Sequence, residues 1–174
     1  MANKKGPEFV PQFIPTDRLI DLVPHKGKMF LLSRVIQYDI KERSVTTEYD
    51  ITKDCIFYEE SLGGIPNWSG FEIMAQGIST FGSIERTING TMDQARPGVI
   101  LSVVNLKSNV GVLKVNSTIT MKIKEDYHMD DVTRYNCRLF ADKKDEEPAV
   151  SATITVMEMN DISAFFADGQ NHQQ

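Results

Sequence analysis

One stretch of the chain, residues 68–89, has the periodicity of a helix. Apolar side chains recur along it at spacings of three and four, at Phe71, Met74, Ile78, Phe81, Ile84 and Ile88. A polar stripe with the same spacing lies beside them, at Glu72, Gln76, Ser79, Ser83 and Arg86. Asn89-Gly90 is typical of a helix end. The pattern predicts one long helix, and its small residues Gly70, Ala75, Gly77 and Gly82 predict close packing against neighbouring strands.

Alternation of apolar and polar residues predicts β-strands on both sides of this helix. Before it, residues 29–35 form a predicted buried strand, which continues through Tyr49 after a turn at Lys41-Glu42 and so makes a hairpin. After it, strands are predicted at residues 99–106, 115–124, 132–141 and 149–157. A helix packed on one face of an antiparallel sheet is an α+β fold. Because such a sheet has an unpaired edge strand, we expect a dimer with a continuous sheet.

The two ends of the chain differ from this central region. Residues 1–15 are rich in proline and predict an extended lead-in, since proline lacks the N–H group that a helix uses. A short helix capped by Thr16 is expected next. Residues 161–174 are polar and predict a frayed tail. The sequence therefore predicts one domain over residues 16–160.

Composition and charge exclude several kinds of protein. A hydrophobic fraction of 41% with 25% charged residues is typical of a globular protein. The formal net charge of −5 argues against nucleic-acid binding, which depends on Lys and Arg. No stretch approaches the roughly 20 apolar residues that cross a bilayer, and no apolar run follows the basic N-terminus. Cys55 and Cys137 are isolated and form no disulfide or zinc pattern, so we expect a cytoplasmic protein without a metal.

The start of the predicted helix carries a chemical motif. Residues 63–76 are Gly-Gly-Ile-Pro-Asn-Trp-Ser-Gly-Phe-Glu-Ile-Met-Ala-Gln. This segment resembles the central helix of β-hydroxyacyl-acyl-carrier-protein dehydratases, in which Pro-Gly precedes an apolar stretch and Glu-Ala-Met-Ala-Gln. A second segment, residues 23–35, is similar to the Leu-Pro-His-Arg sequence that precedes the first strand of that family, and it contains His25. Both segments stand in the order of the family.

The chain departs from the best-known branch of this family at one point. That branch supplies its catalytic histidine from a Gly-His-Phe-Pro-Gly turn before the helix, where this chain has Tyr58. The sequence is more similar to the branch associated with aryl-polyene pathways, which keeps the Pro-His segment and a Pro-x-Trp-x-Gly-x-Glu-x-Met-Ala-Gln helix. The matching positions are Pro66, Trp68, Gly70, Glu72, Met74, Ala75 and Gln76. The resemblance implies a hotdog fold, with the sheet wrapped around the helix, and a histidine and a glutamate that come from opposite chains of a dimer.

The resemblance also implies a reaction, the dehydration of a 3-hydroxyacyl thioester on acyl carrier protein to a trans-2-enoyl thioester. This chemistry needs a base for the α-proton, an acid for the departing hydroxyl and a donor for the thioester oxygen, and it needs no cofactor. Glu72 is predicted to be the acid, because a half-buried carboxyl keeps its proton more readily. His25 is predicted to be the base. Backbone N–H groups around Asn67 to Gly70 are expected to bind the thioester oxygen, since the first N–H groups of a helix lack partners.

Other residues have lesser predicted roles around this pair. The predicted substrate-binding residues are Pro66, Asn67, Trp68, Gly70, Gln76 and Tyr58. Of these, Gln76 is expected to orient the carboxylate of Glu72 by a hydrogen bond, and Tyr58 to line the mouth of the site. His128 is a reserve base in what is otherwise a solvated turn. The basic residues Lys26, Lys28 and Arg34 are candidates for contact with an acidic carrier protein.

Two further functions stay open on the sequence. A hotdog thioesterase also uses a helix carboxylate, but it releases a free thiol. A non-catalytic acyl-binding subunit would fit the missing turn histidine. A glutamate in the first helical turn is also commonly no more than a favourable partner of the helix dipole. The predicted dimer is either a homodimer or a heterodimer with a related hotdog subunit.

Overall fold

A computed structural model describes residues 7–159, which form nine strands and two α-helices. The helices are α1 (Thr16–Leu19) and α2 (Gly70–Asn89). The strands are β1 (Ile14–Pro15), β2 (Arg34–Asp39), β3 (Ser44–Asp50), β4 (Gly64–Pro66), β5 (Gly98–Ser108), β6 (Val112–Lys114), β7 (Thr118–Met129), β8 (Val132–Phe140) and β9 (Val150–Glu158). Short 3-10 turns occur at Gly27–Met29, Asn67–Ser69 and Met92–Gln94. The predicted tail, residues 161–174, lies outside the described residues.

Seven of these strands make one antiparallel sheet in the order β1-β2-β3-β7-β8-β9-β5, and β4 and β6 form a separate pair. The sheet packs around α2, which contacts β3, β7, β8 and β9. The predicted β2–β3 hairpin is confirmed, as are the strands that follow the helix. The predicted fold class, α+β with an antiparallel sheet around one long helix, is therefore confirmed. No helix within residues 7–159 is long and apolar enough to cross a membrane.

The apolar face of α2 is the centre of the core. Ile73, Met74, Phe81 and Ile84 are all at most 1% exposed. A Cβ atom at Gly77 would lie 2.3 Å from Cδ1 of Ile123 on β7, so any side chain at this position would have to displace that of Ile123, and the helix packs closely against the sheet here. The helix ends at Gly90, whose φ of 68° is in the left-handed region. The predicted helix and its close packing are confirmed.

The region before the hairpin differs from its prediction in three respects. Thr16 does not cap α1; its hydroxyl donates instead to the carbonyl oxygen of Ser33, at 2.5 Å. The last two residues of the predicted lead-in, Ile14–Pro15, pair with β2 and so belong to the sheet. The predicted strand over residues 29–35 is also wrong at its start, because β2 begins only at Arg34.

Candidate active site

The two predicted catalytic residues lie side by side. Glu72 is in the first turn of α2 and its side chain is 20% exposed. His25 lies between α1 and the 3-10 turn Gly27–Met29, with a side chain that is 32% exposed. Nε2 of His25 is 3.6 Å from Oε1 of Glu72. The two atoms are too far apart for a direct hydrogen bond but close enough for an ion pair.

Both residues of this pair belong to the same chain. The expectation that the histidine and the glutamate come from opposite chains of a dimer is therefore wrong for this pair. The physical reason is the origin of the histidine. In this chain it comes from the segment before the first long strand, which folds across the start of α2, and not from the turn that precedes the helix.

Gln76, one turn after Glu72 on α2, forms hydrogen bonds both to Glu72 and to the segment that follows His25. Its side chain is fully buried. The amide oxygen accepts the N–H group of Leu31 at 2.8 Å, and the amide nitrogen donates to the carbonyl oxygen of Met29 at 2.8 Å. The same nitrogen donates to Oε1 of Glu72 at 3.0 Å, which is the hydrogen bond expected from the sequence. A backbone N–H group can only donate and a carbonyl oxygen can only accept, so these two partners fix which end of the amide is oxygen and which is nitrogen.

The imidazole of His25 has one buried and one accessible edge. Its Nδ1 is buried and has no hydrogen-bond partner within the described residues. Nε2, which faces Glu72, is the nitrogen placed to exchange a proton with a bound molecule.

The segment before α2 is held by hydrogen bonds to the loop before β6. The N–H group of Asn67 donates to the carbonyl oxygen of Gly111 at 3.2 Å, and its side-chain amide donates to that of Val110 at 2.7 Å. The hydroxyl of Ser69 donates to the carbonyl oxygen of Pro66 at 2.7 Å. The expectation of unpaired N–H groups is therefore wrong at Asn67, which bonds to the neighbouring loop, and at Gly70, whose N–H group donates to the carbonyl oxygen of Asn67 within the 3-10 turn.

The remaining predicted substrate-binding residues differ in their exposure. Pro66 and Gly70 are buried, and a Cβ at Gly70 would lie 3.1 Å from Cδ1 of Leu139. Trp68 is 50% exposed and its ring packs edge-on against Phe57, with 5.5 Å between the ring centroids. Tyr58 lies in the loop between β3 and β4 and packs partly buried against the core. Trp68 is thus the open apolar surface next to the start of α2, and substrate contact by these residues stays a prediction.

The other candidates lie elsewhere or are engaged within the chain. His128 lies near the β7–β8 turn, where its Nδ1 is 2.8 Å from the hydroxyl of Thr133. The ammonium of Lys26 donates to the carbonyl oxygens of Ile20 and Val23 at the end of the α1 region. These contacts anchor Lys26 to the α1 region, and Lys28 is exposed in the adjacent turn.

Arg34 belongs to a charged cluster that the sequence did not indicate. Its guanidinium donates to Glu48 at 2.8 Å and to Asp50 at 2.5 Å, and Lys143 is 2.6 Å from Glu48. Burial alone would raise the pKa of the Glu48 carboxyl, but hydrogen bonds from Arg34 and Lys143 outweigh it and hold this pKa below its usual value. Burial likewise opposes, without reversing, the lowering of the pKa of Asp50 by Thr118 and Arg34. The cluster fixes the start of β2, which follows the segment that Gln76 binds.

An antiparallel sheet wrapped around one central helix, with a carboxylate in the first turn of that helix, defines the hotdog class of acyl-thioester proteins. The chain belongs to the ApeP-like family, whose family model, described as ApeP dehydratase, matches residues 18–167. This match confirms the family predicted from the two sequence motifs and makes the chain a member of a dehydratase family.

Individual proteins agree with this assignment. The 3-hydroxyacyl-[acyl-carrier-protein] dehydratase FabZ of Chlamydia pneumoniae is 35% identical over 57 residues, which cover 33% of this chain and 35% of that relative. The alignment thus spans about a third of the length of the relative. The dehydratase heterocomplex ApeI:P from Xenorhabdus doucetiae is similar in structure, with a TM-score of 0.71, 17% identity, and coverage of 89% of this chain and 97% of that chain.

A thioesterase has the same fold. The mutant thioesterase PA1618 from Pseudomonas aeruginosa has a TM-score of 0.51 and 14% identity, and the match covers 71% of this chain and 78% of that chain. At these identities the structural likenesses establish the fold alone. The choice between reactions therefore depends on the site.

Proposed function

We propose that this chain removes water from a 3-hydroxyacyl thioester carried on acyl carrier protein and forms the trans-2-enoyl thioester. The observation that carries the proposal is the pairing of His25 and Glu72, with 3.6 Å between Nε2 and Oε1. Membership of a dehydratase family supports it. The FabZ relative is named for a substrate linked to acyl carrier protein, which supports the same form of substrate here.

The pair can divide the reaction between a base and an acid. Nε2 of His25 takes the proton from the α-carbon, and the electron pair of that C–H bond forms the new double bond to the β-carbon. The bond from the β-carbon to its oxygen breaks, and Glu72 supplies the proton with which the hydroxyl leaves as water. Because the two reacting carbons are adjacent in the substrate, two groups as close as these can serve both of them.

The surroundings of Glu72 favour this role over a purely structural one. A glutamate that only complements the helix dipole is typically an exposed side chain in the first turn. Glu72 is instead four-fifths buried, accepts a hydrogen bond from a fully buried glutamine and faces an imidazole. A carboxyl group held in this way is oriented before the substrate arrives, as an acid catalyst requires.

The experiment that tests the function follows the intact mass of a carrier protein loaded with a 3-hydroxyacyl group. We expect the acylated carrier to lose one water in the presence of the purified chain, with no free thiol formed. Release of the carrier thiol would show instead the thioesterase reaction, which the fold also supports. An unchanged acyl group that stays bound to the chain would show a non-catalytic binding subunit.

The partner that we propose for this chain is a second hotdog chain, bound along β5. This strand is an edge of the seven-stranded sheet, so one row of its backbone groups is free of pairing within the described sheet. Its apolar side chains are unusually open: Ile100, Leu101, Val104 and Leu106 are each at least 40% exposed. An apolar edge strand of this length is typical of an interface and is a liability without one. The ApeI:P structure is a heterocomplex, which supports a related chain as the partner; an identical chain is the alternative that the sequence left open.

Charged substitutions on β5 test this interface. We expect the wild-type chain to be a dimer by native mass spectrometry, and Leu101→Glu with Leu106→Glu to give a monomer, because the new carboxylates would be buried without partners. Met129→Glu is the matched control, since Met129 is 55% exposed and lies at the β7–β8 turn. A β5 variant that stays dimeric would contradict the proposal. A wild-type monomer would exclude the homodimer and leave the related subunit as the partner.

Two further parts of the proposal concern the pathway and the location of the protein. The resemblance to the aryl-polyene branch, together with the ApeP-like family, supports an acyl chain extended in a fatty-acid-like pathway. A cytoplasmic location stays a prediction, with which the free thiols of Cys55 and Cys137 agree.

A further inference from the structure

We infer that Gln76 is a positioning residue that sets the distance between His25 and Glu72, because it holds the His25 segment against the first turn of α2. The inference rests on the proposed function and gives Gln76 a role that acts through His25 and Glu72. Gln76 is fully buried, and every hydrogen bond of its amide is made within the chain.

The segment that carries His25 depends on this amide for its place. The carbonyl of Met29 and the N–H group of Leu31 bond to Gln76 rather than to a neighbouring strand, and β2 begins only three residues later, at Arg34. From Met29 back to His25 the chain is a tight turn. Within it, the N–H groups of Met29 and Phe30 donate to the carbonyl oxygens of Lys26 and Gly27. A displacement of Met29 relative to α2 therefore moves His25 as well.

A primary amide is the side chain that satisfies this position. The site needs one acceptor, for Leu31, and two donors, for Met29 and Glu72, and an amide group provides them together. A carboxylate at the same place would face both the carbonyl oxygen of Met29 and the carboxylate of Glu72. The amide also selects an oxygen of the acid. Because Oε1 of Glu72 accepts the amide N–H, Oε2 is the oxygen that this hydrogen bond leaves open to a bound molecule.

Two substitutions separate positioning from packing. Gln76→Met keeps the volume but has no donor and no strong acceptor, and we expect it to lower kcat for water loss by about 100-fold while KM changes little, since small misplacements of catalytic groups have effects of this size. Gln76→Glu is expected to be equally slow at neutral pH, and its activity relative to the wild type at the same pH is expected to rise in acid. There the introduced carboxyl, whose titratable neighbours are Glu72 and His25, gains the proton that restores a donor.

Thr80→Val is the matched control. Thr80 is one turn further along α2, fully buried, and its hydroxyl donates to the backbone carbonyl of Gln76. This variant therefore removes a buried polar group from the same helix without changing the amide, and it should keep the wild-type kcat. A Gln76→Met variant with wild-type kcat, or a Gln76→Glu variant whose pH profile matches that of the wild type, would overturn the inference.

Hydrogen exchange gives a readout that does not need activity. In Gln76→Met the amide hydrogen of Leu31 loses its acceptor, and peptides that span residues 25–31 should exchange faster than in the wild type or in Thr80→Val, while peptides from β7 and β8 exchange alike. Unchanged exchange over residues 25–31 would overturn the inference even if the wild-type chain proved to be inactive. An inactive wild type with faster local exchange would instead overturn the proposed reaction and leave the positioning role standing.

Discussion

Replacement of Glu72 by glutamine is expected to lower kcat for water loss by about 10³-fold, within the range that general acid catalysis contributes. The amide oxygen of the new side chain can still accept the N–H of Gln76, so the change keeps the shape and the hydrogen bond. It removes the one capacity that the reaction needs, a proton that can be given to the leaving hydroxyl. Initial rates from the intact mass of the acylated carrier protein measure the effect.

The His25→Ala variant belongs to the same experiment. If His25 and Glu72 act as one unit, each single substitution removes most of the rate, and the double variant is hardly slower than either. His128→Ala is the control, since that imidazole is bonded to Thr133 at another part of the sheet. A wild-type rate in Glu72→Gln would remove the acid from the mechanism. A wild-type rate in His25→Ala alone would mean that the base is a different group.

The central helix and its chemistry were predictable from local sequence. The spacing of apolar residues, the Asn89-Gly90 stop and the small residues together dictate a helix that lies close to a sheet, and the structure has each of these features. The Glu72–Gln76 hydrogen bond was also predictable, because residues four apart face each other on a helix. Local periodicity predicts such contacts because both interacting side chains lie on the same helix.

The placement of His25 was not predictable in the same way. Its neighbour Glu72 is 47 positions away, and no local pattern states which chain supplies the histidine. The apolar residues before Arg34 suggested a strand, since periodicity cannot distinguish a buried strand from another buried segment. The structure shows that the backbone there bonds to the side chain of Gln76, which competes with strand pairing. The available signal was Gln76 itself, one turn after Glu72 in the polar stripe of the helix, because an amide that becomes buried must find hydrogen-bond partners.

Replacement of Gly64 by alanine is expected to destabilise the fold by about 1–3 kcal/mol, the range of overpacking in a core. A Cβ at this position would lie 2.2 Å from the carbonyl oxygen of Leu113 and 2.8 Å from Cγ1 of Val112. The oxygen belongs to the backbone of β6, so no side-chain rotation relieves the clash. The β4–β6 pair must separate, although Gly64 and Lys114 are directly paired in it. Urea unfolding, followed by the midpoint and the slope, measures the loss.

Separation of β4 from β6 would also disturb the candidate active site, because β4 leads directly into the Asn67–Ser69 turn and α2. Gly111→Ala is the matched control: it lies just before β6, and a Cβ there meets nothing within 4 Å. We expect it to keep the wild-type unfolding midpoint. If Gly64→Ala unfolded at the same urea concentration as Gly111→Ala, the close approach of β4 to β6 would be wrong. The start of α2, and with it the position of Glu72, would then have to be held by the Asn67 hydrogen bonds to Val110 and Gly111 alone.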